Sequence, residues 1–357
     1  MIFPEFICHD VLQKSRTTLV QKRITCRGDN LDDIFIRSMK PFEGYPVTLA
    51  VLGEGLVENS ECLEYMKSHP EWTPQVHGFT HRRYDGVSTD KFYGDICTTR
   101  DLIIKRFGRR PTVYIPPYNK YDTTTRELAL KAGLTQKERL RKPGHYKKEW
   151  HNCRQVDYHY WSPKNMGMVY FILHYFTVKP HYIIGAPRSG TTALMRFIGK
   201  DAVVLKEKES FWNNKTDLRK HYARLLADNG SRQIVDKNVR NSFRILDLQE
   251  RFPEAKFTHI IRDGRAAISS WRDWAVKTRK KDTSIEGAAK QWVKYVTYIL
   301  DNRHLLKDYS EVRYEELCFK YDYFISRNGK WKNRLTKPEL EIVMNIAGGL
   351  LRRLGYA

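Results

Sequence analysis

The sequence predicts an α/β protein with two domains, each built on a parallel sheet. Two short apolar runs, Tyr182–Ile184 and Phe257–Ile261, are each followed by a turn that contains glycine and then by a helix-like segment. Residues 109–134 repeat that order, with a Pro-Pro turn between strand and helix. An alternation of strands and helices is typical of parallel sheets. A length of 357 residues fits two domains, which we predict at residues 1–175 and 179–357.

The chain is strongly basic, and most of the excess lies in its second half. The formal net charge is +22. Residues 1–178 contain 27 basic and 20 acidic residues, whereas residues 179–357 contain 36 and 21. This distribution favours an anionic ligand in the second half and an acidic polymer as partner. Nucleic acid is the rival partner, but the sequence contains no base-reading module, so we expect no nucleic-acid binding.

The cysteines and the apolar segments predict a cytoplasmic protein without a membrane span. The six cysteines are scattered and form no C-x-x-C pair, which indicates reduced thiols. Residues 1–10 have neither the basic start nor the apolar core of a signal peptide. Residues 166–178 are apolar, but they are too few to cross a bilayer and are interrupted by His174.

The segment Tyr182–Thr192 reads YIIGAPRSGTT and predicts an anion-binding loop. Backbone N–H groups of a Gly-rich turn and the positive end of the following helix face an anion in such a loop. Gly185 and Gly190 have the spacing of a nucleotide-binding P-loop, but Thr191 stands where that motif requires Lys. Arg188 lies inside the loop instead. The pattern therefore indicates a phosphate-like group that is handled without the kinase lysine, and it disfavours a nucleotide kinase.

Residues 256–271 contain a second candidate anion site. Arg262 directly follows the predicted strand Phe257–Ile261, and Ser270 lies eight residues further on. An Arg at a strand end and a Ser two turns into the next helix can hold one phosphate between them. The two segments together predict a ligand with two separated anionic groups.

In this order, the two segments resemble those of sulfotransferases that use 3′-phosphoadenosine 5′-phosphosulfate (PAPS). Residues 187–192 resemble the 5′-phosphosulfate loop of that family, and Arg262–Ser270 resembles its 3′-phosphate motif. Residues 312–317, 327–332 and 351–356 resemble later family segments, the second being a loop that closes over the 3′-phosphate. The resemblance implies a P-loop-like α/β domain with a parallel sheet, PAPS as cofactor and adenosine 3′,5′-bisphosphate as product. The cofactor-binding residues that it implies are Pro187, Arg188, Ser189, Gly190, Thr191, Thr192, Arg262, Ser270, Arg327 and Gly329.

Sulfuryl transfer to a hydroxyl or amine also needs a base near the acceptor. Residues 203–212 occupy the place where the carbohydrate-acting relatives carry a Lys-Glu pair, and Glu209 after Lys208 fits that spacing best. Glu207 after Lys206 is the alternative register. Lys237 resembles a lysine that supports the sulfonate or the acceptor, and Arg188 would stabilise the leaving phosphate.

The first half carries a different group of signals. His77 and His81 are four residues apart, so both imidazoles can face one metal ion. With the Pro116-Pro117 turn and His159 on a later strand, they resemble the polysaccharide deacetylases, which have a distorted (β/α) barrel. That resemblance implies zinc or another divalent metal, a metal-binding role for both histidines, and an acid role for His159.

The first deacetylase motif normally supplies two adjacent Asp residues, one as base and one as metal ligand. Residues 24–30 read ITCRGDN and contain one carboxylate, Asp29, which is either the ligand or the base. Asp32 and Asp33, which lie nearby, are the alternative source of the missing carboxylate. His9 is interpreted as an ordinary polar or satisfied residue.

The order of the two domains resembles that of the heparan N-deacetylase/N-sulfotransferases. It implies a bifunctional protein that acts on a carbohydrate, with an anionic or amino-sugar-containing glycan as acceptor. Because the first deacetylase motif has lost one of its two carboxylates, we expect a degenerate domain with weak or absent deacetylase activity beside a working sulfotransferase. Three alternatives stay open: a deacetylase as the main activity, a first domain that only binds glycan, and a nucleotide kinase.

Overall fold

The computed structural model describes residues 3–12, 31–137, 155–160, 163–206, 217–280, 282–320 and 329–356. The chain divides into two compact units, Met1–Phe176 and Thr177–Ala357. Among the described residues, no helix is long and apolar enough to cross a bilayer. Four of the cysteines are described as free thiols: Cys8, Cys62, Cys97 and Cys318. A cytoplasmic location stays a prediction.

The first unit is a parallel sheet with helices between its strands. Its strands are β1 (Glu5–Val11), β2 (Val47–Val51), β3 (Trp72–Val76), β4 (Val113–Tyr114), β5 (Thr135–Gln136) and β6 (Gln155–His159). Its helices are α1 (Leu31–Met39), α2 (Glu61–Lys67), α3 (Thr89–Phe107), α4 (Thr123–Lys131) and α5 (Pro163–Thr177). The spatial order is β5-β4-β3-β2-β1-β6, and every pair is parallel.

The strands of this sheet are apolar because both faces are covered. β1 is buried at six of its seven positions, as strands of parallel sheets usually are. The register between β1 and β2 shifts between Cys8 and Val11, which marks a bulge at the carboxyl end of β1. Bulges change the direction of side chains and often lie beside functional sites. His9 and Asp10 both fall within this irregularity.

The second unit has a five-stranded parallel sheet. Its strands are β7 (His181–Ile184), β8 (Val203–Leu205), β9 (Ile234–Asp236), β10 (Lys256–Ile261) and β11 (Asp308–Arg313). Its helices are α6 (Thr191–Ile198), α7 (Leu218–Asn229), α8 (Ile245–Arg251), α9 (Gly264–Lys277), α10 (Ile285–Asn302), α11 (Tyr314–Lys320) and α12 (Lys337–Arg353). The spatial order is β11-β10-β7-β9-β8, again with every pair parallel.

Strand order in the second unit places the predicted anion-binding segments side by side. β7 and β10 are hydrogen-bonded neighbours, with Ile184 opposite His259. Carboxyl ends of parallel strands lie at the same edge of a sheet, where ligands of open α/β folds bind. The loop after β7 and Arg262 after β10 therefore start from neighbouring positions.

The predicted α/β class is confirmed in both units. The parallel six-stranded row of the first unit agrees with the distorted barrel expected from the deacetylase resemblance. The second unit agrees with the expected parallel-sheet sulfotransferase domain.

Candidate functional site

The loop between β7 and α6 has a backbone that only glycine permits at two positions. Gly185 has φ +152° and Gly190 has φ +98°. A Cβ atom on Gly190 would lie 2.2 Å from Cδ2 of Tyr314. Arg188 has φ +68°, a left-handed conformation that residues other than glycine rarely adopt. Such backbone strain persists where the surrounding contacts hold it, and it is common at ligand sites.

Three of the predicted anion-binding residues interact directly. Arg188 Nε donates to Ser270 Oγ at 3.2 Å. Arg262 Nη1 donates to the carbonyl oxygen of Arg188 at 3.0 Å. The Arg262 guanidinium also lies over the Tyr314 ring, 4.3 Å from its centroid. The two segments predicted from sequence thus form one connected cluster.

Arg262 is a buried cation whose guanidinium keeps a donor for a ligand. It is 8% exposed, and burial lowers its pKa, against the influence of Tyr314 and Glu315. Its Nε atom has no hydrogen-bond partner among the described residues. Buried polar groups are almost always paired, and an unpaired buried charge is strongly destabilising. A bound anion would satisfy this arginine.

A cavity of about 1140 Å³ lies at this edge of the sheet. Its described lining includes nine cationic side chains and one carboxylate, Asp273. The predicted residues that line it are Pro187, Arg188, Gly190, Thr191, Thr192, Arg262, Ser270 and Lys237. Lys330 and Trp331, which follow Gly329, line it as well.

Several predicted residues lie elsewhere. The side chain of Ser189 is buried, and this residue does not line the cavity. Gly329 is also absent from the lining. Glu209, the alternative Glu207, and Arg327 lie outside the described residues.

Lys237 reaches the cavity because the residue before it is fixed. Asp236 at the end of β9 is fully buried and accepts hydrogen bonds from Tyr222 Oη at 2.6 Å and Asn241 Nδ2 at 3.1 Å. Lys237 N also donates to the Leu205 carbonyl oxygen at the end of β8. Lys237 is 9% exposed and lines the cavity.

The first unit contains a second cluster, formed by Asp10, His77 and His81. All three are buried, and one ligand atom from each lies within 4.8 Å of the others. Asp10 Oδ1 is 3.2 Å from His77 Nε2 and 3.0 Å from His81 Nε2. Asp10 has φ +58°, which Asp adopts more readily than most residues.

The protonation of this cluster fits a cation. His77 Nδ1 lies 2.6 Å from the Ile115 carbonyl oxygen and donates to it, so a neutral His77 has a lone pair at Nε2. Burial lowers the pKa of His77, against the influence of Asp10, which favours that neutral form. Burial alone would raise the pKa of Asp10, but the closeness of the imidazoles of His77, His81 and His159 holds that pKa well below its usual range.

A neutral imidazole lone pair and a carboxylate that face each other repel unless a cation lies between them. Two imidazoles and one carboxylate are a common donor set for zinc. A ligand histidine whose other nitrogen donates to a backbone carbonyl is also the usual arrangement at such sites. The residues present therefore fit a divalent metal held by Asp10, His77 and His81.

Further polar residues surround the cluster. His159 Nε2 lies 3.4 Å from Asp10 Oδ2. His9 Nε2 lies 2.9 Å from Asp157 Oδ1, and the His9 ring centroid lies 5.6 Å from that of His77. His9 thus has a buried acidic partner in Asp157, and the bulge in β1 brings its ring close to that of His77. Its interpretation as an ordinary polar or satisfied residue stays a prediction.

The ligand that sequence reasoning missed is Asp10. Asp29, the predicted carboxylate, lies outside the described residues. A usable signal was the His9-Asp10 pair, since it follows an apolar run and stands near the end of a strand, as His77 does. The carboxyl ends of parallel strands lie at the same edge of a sheet. The pair His9 and Asp10 and the pair His77 and His81 were therefore candidates for one site.

Two family models match the chain. The model for polysaccharide deacetylase matches residues 42–137, and the model for the sulfotransferase family matches residues 205–321. The N-terminal half is thus similar to polysaccharide deacetylases, and the C-terminal half is similar to sulfotransferases. Asp10 and the loop at residues 185–192 lie outside the matched ranges. Comparison with curated proteins gives no significant match.

Solved structures give weak likenesses to both halves. A CE4 family pseudoenzyme from Bacillus anthracis has 13% identity, covers 40% of this chain and 55% of its own, and gives a TM-score of 0.34. A family 4 carbohydrate esterase from Streptomyces lividans in complex with acetate has 16% identity, covers 40% and 79%, and gives 0.33. The sulfotransferase domain from the curacin biosynthetic pathway has 19% identity, covers 46% and 76%, and gives 0.32. The chain spans little more than half the length of the pseudoenzyme.

Proposed function

We propose that the second unit transfers a sulfuryl group from PAPS to a hydroxyl or amine of a carbohydrate. The observation that carries this proposal is the contact between Arg188, Ser270 and Arg262 at the edge of a strongly basic cavity. The match to the sulfotransferase family supports it. The loop has glycine at the two positions that let a backbone approach a phosphate, and it lacks the lysine of a kinase P-loop.

We assign the roles of the residues from their contacts and from the family resemblance. The loop at residues 187–192 and Arg188 hold the 5′-phosphosulfate, and Arg262 with Ser270 holds the 3′-phosphate. The acceptor oxygen or nitrogen bonds to sulfur as the bond between sulfur and the phosphate oxygen breaks. Arg188 stabilises the charge left on that phosphate, and Lys237 supports the sulfonate. Glu209 takes the proton of the acceptor.

Binding of adenosine 3′,5′-bisphosphate without Mg²⁺ tests this function. Isothermal titration calorimetry in the presence of EDTA should give tight binding to the wild-type protein. ATP with Mg²⁺ serves as the comparison, because a kinase needs the metal to hold its phosphates. Binding of ATP with Mg²⁺, together with no binding of the bisphosphate, would make the second unit a nucleotide kinase instead.

We further propose that the first unit binds a divalent metal and releases acetate from N-acetylated sugars. The supporting observation is the convergence of Asp10, His77 and His81, together with the family match. Zinc in such a site lowers the pKa of a bound water and polarises a carbonyl group. We assign to His159, whose Nε2 lies 3.4 Å from Asp10 Oδ2, the role of giving a proton to the leaving amine. The base is not assigned, since Asp29 lies outside the described residues.

The two proposed reactions are chemically complementary. Removal of an acetyl group leaves an amine, and an amine is an acceptor for sulfuryl transfer. Acetate release from N-acetylated oligosaccharides, measured with a sulfation assay on the same protein, tests whether both activities are present. A protein that binds glycan and releases no acetate has a first unit that acts only in recognition.

A further inference from the structure

The cavity extends along α9 beyond the contacts that would hold a phosphate. Ser270, Trp274 and Lys277 have the spacing i, i+4, i+7, so they share one face of this helix. At 1.5 Å per residue, Lys277 lies about 10 Å beyond Ser270 along the helix axis. All three line the cavity, together with Lys280 and Gln291. Beyond Ser270, the lining of the cavity therefore includes a tryptophan and two lysines.

Trp274 presents apolar surface inside a polar cavity. It is 36% exposed, and the ammonium of Lys280 lies 5.1 Å from its ring centroid. Exposed tryptophans in pockets are typical of binding sites, where an apolar ring face and a polar rim act together. A pyranose ring has a face of C–H groups that suits an indole ring.

The two lysines near Trp274, Lys277 and Lys280, lie away from the positions assigned to the phosphates of the cofactor. The phosphates of the cofactor are assigned to Arg188, Arg262 and Ser270, about two helical turns away. The lining carboxylate, Asp273, is already paired with Arg272 at 3.3 Å and with Arg334 at 3.2 Å. Lys277 and Lys280 are both exposed. Their charges suit a carboxylate or sulfate on the acceptor.

We propose that Trp274, Lys277 and Lys280 form a subsite for an acidic sugar residue of the acceptor. The indole ring packs against the apolar face of the sugar, and the two lysines pair with its anionic substituent. This inference rests on the proposed function of the second unit as a carbohydrate sulfotransferase. It makes these side chains determinants of acceptor specificity, separate from the cofactor contacts.

Direct binding of an oligosaccharide tests the subsite independently of turnover. The probes are a hexasaccharide that contains uronic acid and the same hexasaccharide with its carboxyl groups reduced to alcohols. Calorimetry with Trp274→Ala should show an acceptor Kd raised by about tenfold or more, and Trp274→Phe should recover most of the loss. The Kd of adenosine 3′,5′-bisphosphate should stay unchanged in both variants.

A charge variant completes the test. Lys277→Gln/Lys280→Gln should weaken binding of the acidic hexasaccharide and leave binding of the reduced one unchanged. Lys200→Gln/Lys307→Gln is the matched control, because both lysines are exposed, belong to the same unit and do not line the cavity.

Two results would overturn the subsite. One is an equal loss of affinity for the bisphosphate and the hexasaccharide in Trp274→Ala, which would make Trp274 a wall of the nucleotide site. The other is unchanged hexasaccharide binding in that variant. Failure of the wild-type protein to bind the bisphosphate is a different result, since it refutes the sulfotransferase function while the hexasaccharide titrations still decide the subsite.

Discussion

Arg262 donates a hydrogen bond from Nη1 to the carbonyl oxygen of Arg188 at 3.0 Å, across 74 residues of sequence. This bond joins the end of β10 to the loop after β7. The guanidinium of Arg262 therefore holds the loop backbone, and we propose that it also offers charge to a ligand. The Arg262 guanidinium also lies over the ring of Tyr314, and the same ring packs against Gly190 of the loop.

The first prediction concerns the ligand preference of Arg262. Arg262→Ala should weaken adenosine 3′,5′-bisphosphate binding by about 1.5–3 kcal/mol, which is typical of a lost hydrogen bond to a charged group. It should weaken binding of adenosine 5′-phosphate less, because that ligand lacks the 3′-phosphate. Arg188→Ala should weaken both ligands. Calorimetric Kd values for the four pairs check this, and an equal loss of both ligands in Arg262→Ala would contradict the assignment.

The second prediction concerns Gly190. In Gly190→Ala the new Cβ would meet the Tyr314 ring at 2.2 Å, and the residue would keep an unfavourable φ of +98°. We expect a loss of at least about 1–3 kcal/mol in unfolding free energy and weaker bisphosphate binding. Gly349→Ala is the control, since it lies in α12 with no atom within 4 Å of its Cβ position and should be neutral or stabilising. Similar urea midpoints for the two variants would count against the clash.

The third prediction concerns the base. Glu209→Gln should leave the bisphosphate Kd nearly unchanged and reduce kcat by about 10²–10⁴, the usual contribution of a general base. The substitution preserves shape and removes basicity. If Glu207→Gln is the slow variant instead, the alternative register is right. Normal turnover in both variants would place the base elsewhere.

The fourth prediction concerns the metal. Asp10→Asn and His77→Ala should each reduce the metal content of purified protein from about one ion per chain toward zero, because a divalent ion depends on all three ligands. Elemental analysis measures this without any activity assay. His304→Ala, an exposed histidine of the second unit, is the control. If Asp29→Asn loses the metal and Asp10→Asn retains it, the carboxylate ligand is Asp29.

The fifth prediction concerns acid stability. Burial lowers the pKa of His259 to about 3 from the ordinary 6.5, with Arg303 and Arg313 adding to the shift and Glu311 opposing it. The unfolded chain therefore binds a proton that the folded chain does not between these pH values. With respect to His259, the unfolding free energy should have its full value above pH 6.5. It should fall by up to about 1.4 kcal/mol per pH unit as the pH is lowered toward 3.

The variant His259→Leu separates this contribution from those of other groups. Urea unfolding between pH 4 and pH 7 should show a shallower pH slope for the variant than for the wild-type protein. Identical slopes would show that His259 does not contribute. Burial shifts the pKa of His181 in the same direction, to about 4, so the variant should keep part of the slope.

The sequence predicted those parts of the sites that lie in one continuous segment. The loop at residues 185–192 and the pair Arg262 and Ser270 each belong to one strand–turn–helix segment, so local patterns are enough to find them. The hydrogen bond between Arg188 and Arg262 depends on the neighbouring positions of β7 and β10, and no local pattern encodes strand order.

Asp10 was missed for the same reason. It lies 67 residues before His77, on a strand separated from β3 by β2, and it reaches the cluster through a bulge. The bulge comes from the pairing of β1 with β2, which single-sequence periodicity does not predict. A single carboxylate inside a short local motif, Asp29, was easier to find than a group of residues brought together across the sheet.

The position of β7 next to β10 also affects when the cavity can form during synthesis. β9 pairs with one edge of β7, and β8 lies beyond β9 on the same side. The opposite edge of β7 pairs with β10, so it stays unpaired until residues 256–261 have been synthesised. A nascent chain that ends before Arg262 contains the whole loop at residues 185–192 and lacks the contact that holds it. Pairing across this distance is slow to form, and partly paired sheets aggregate readily. Cofactor can therefore stabilise this unit only late in its folding.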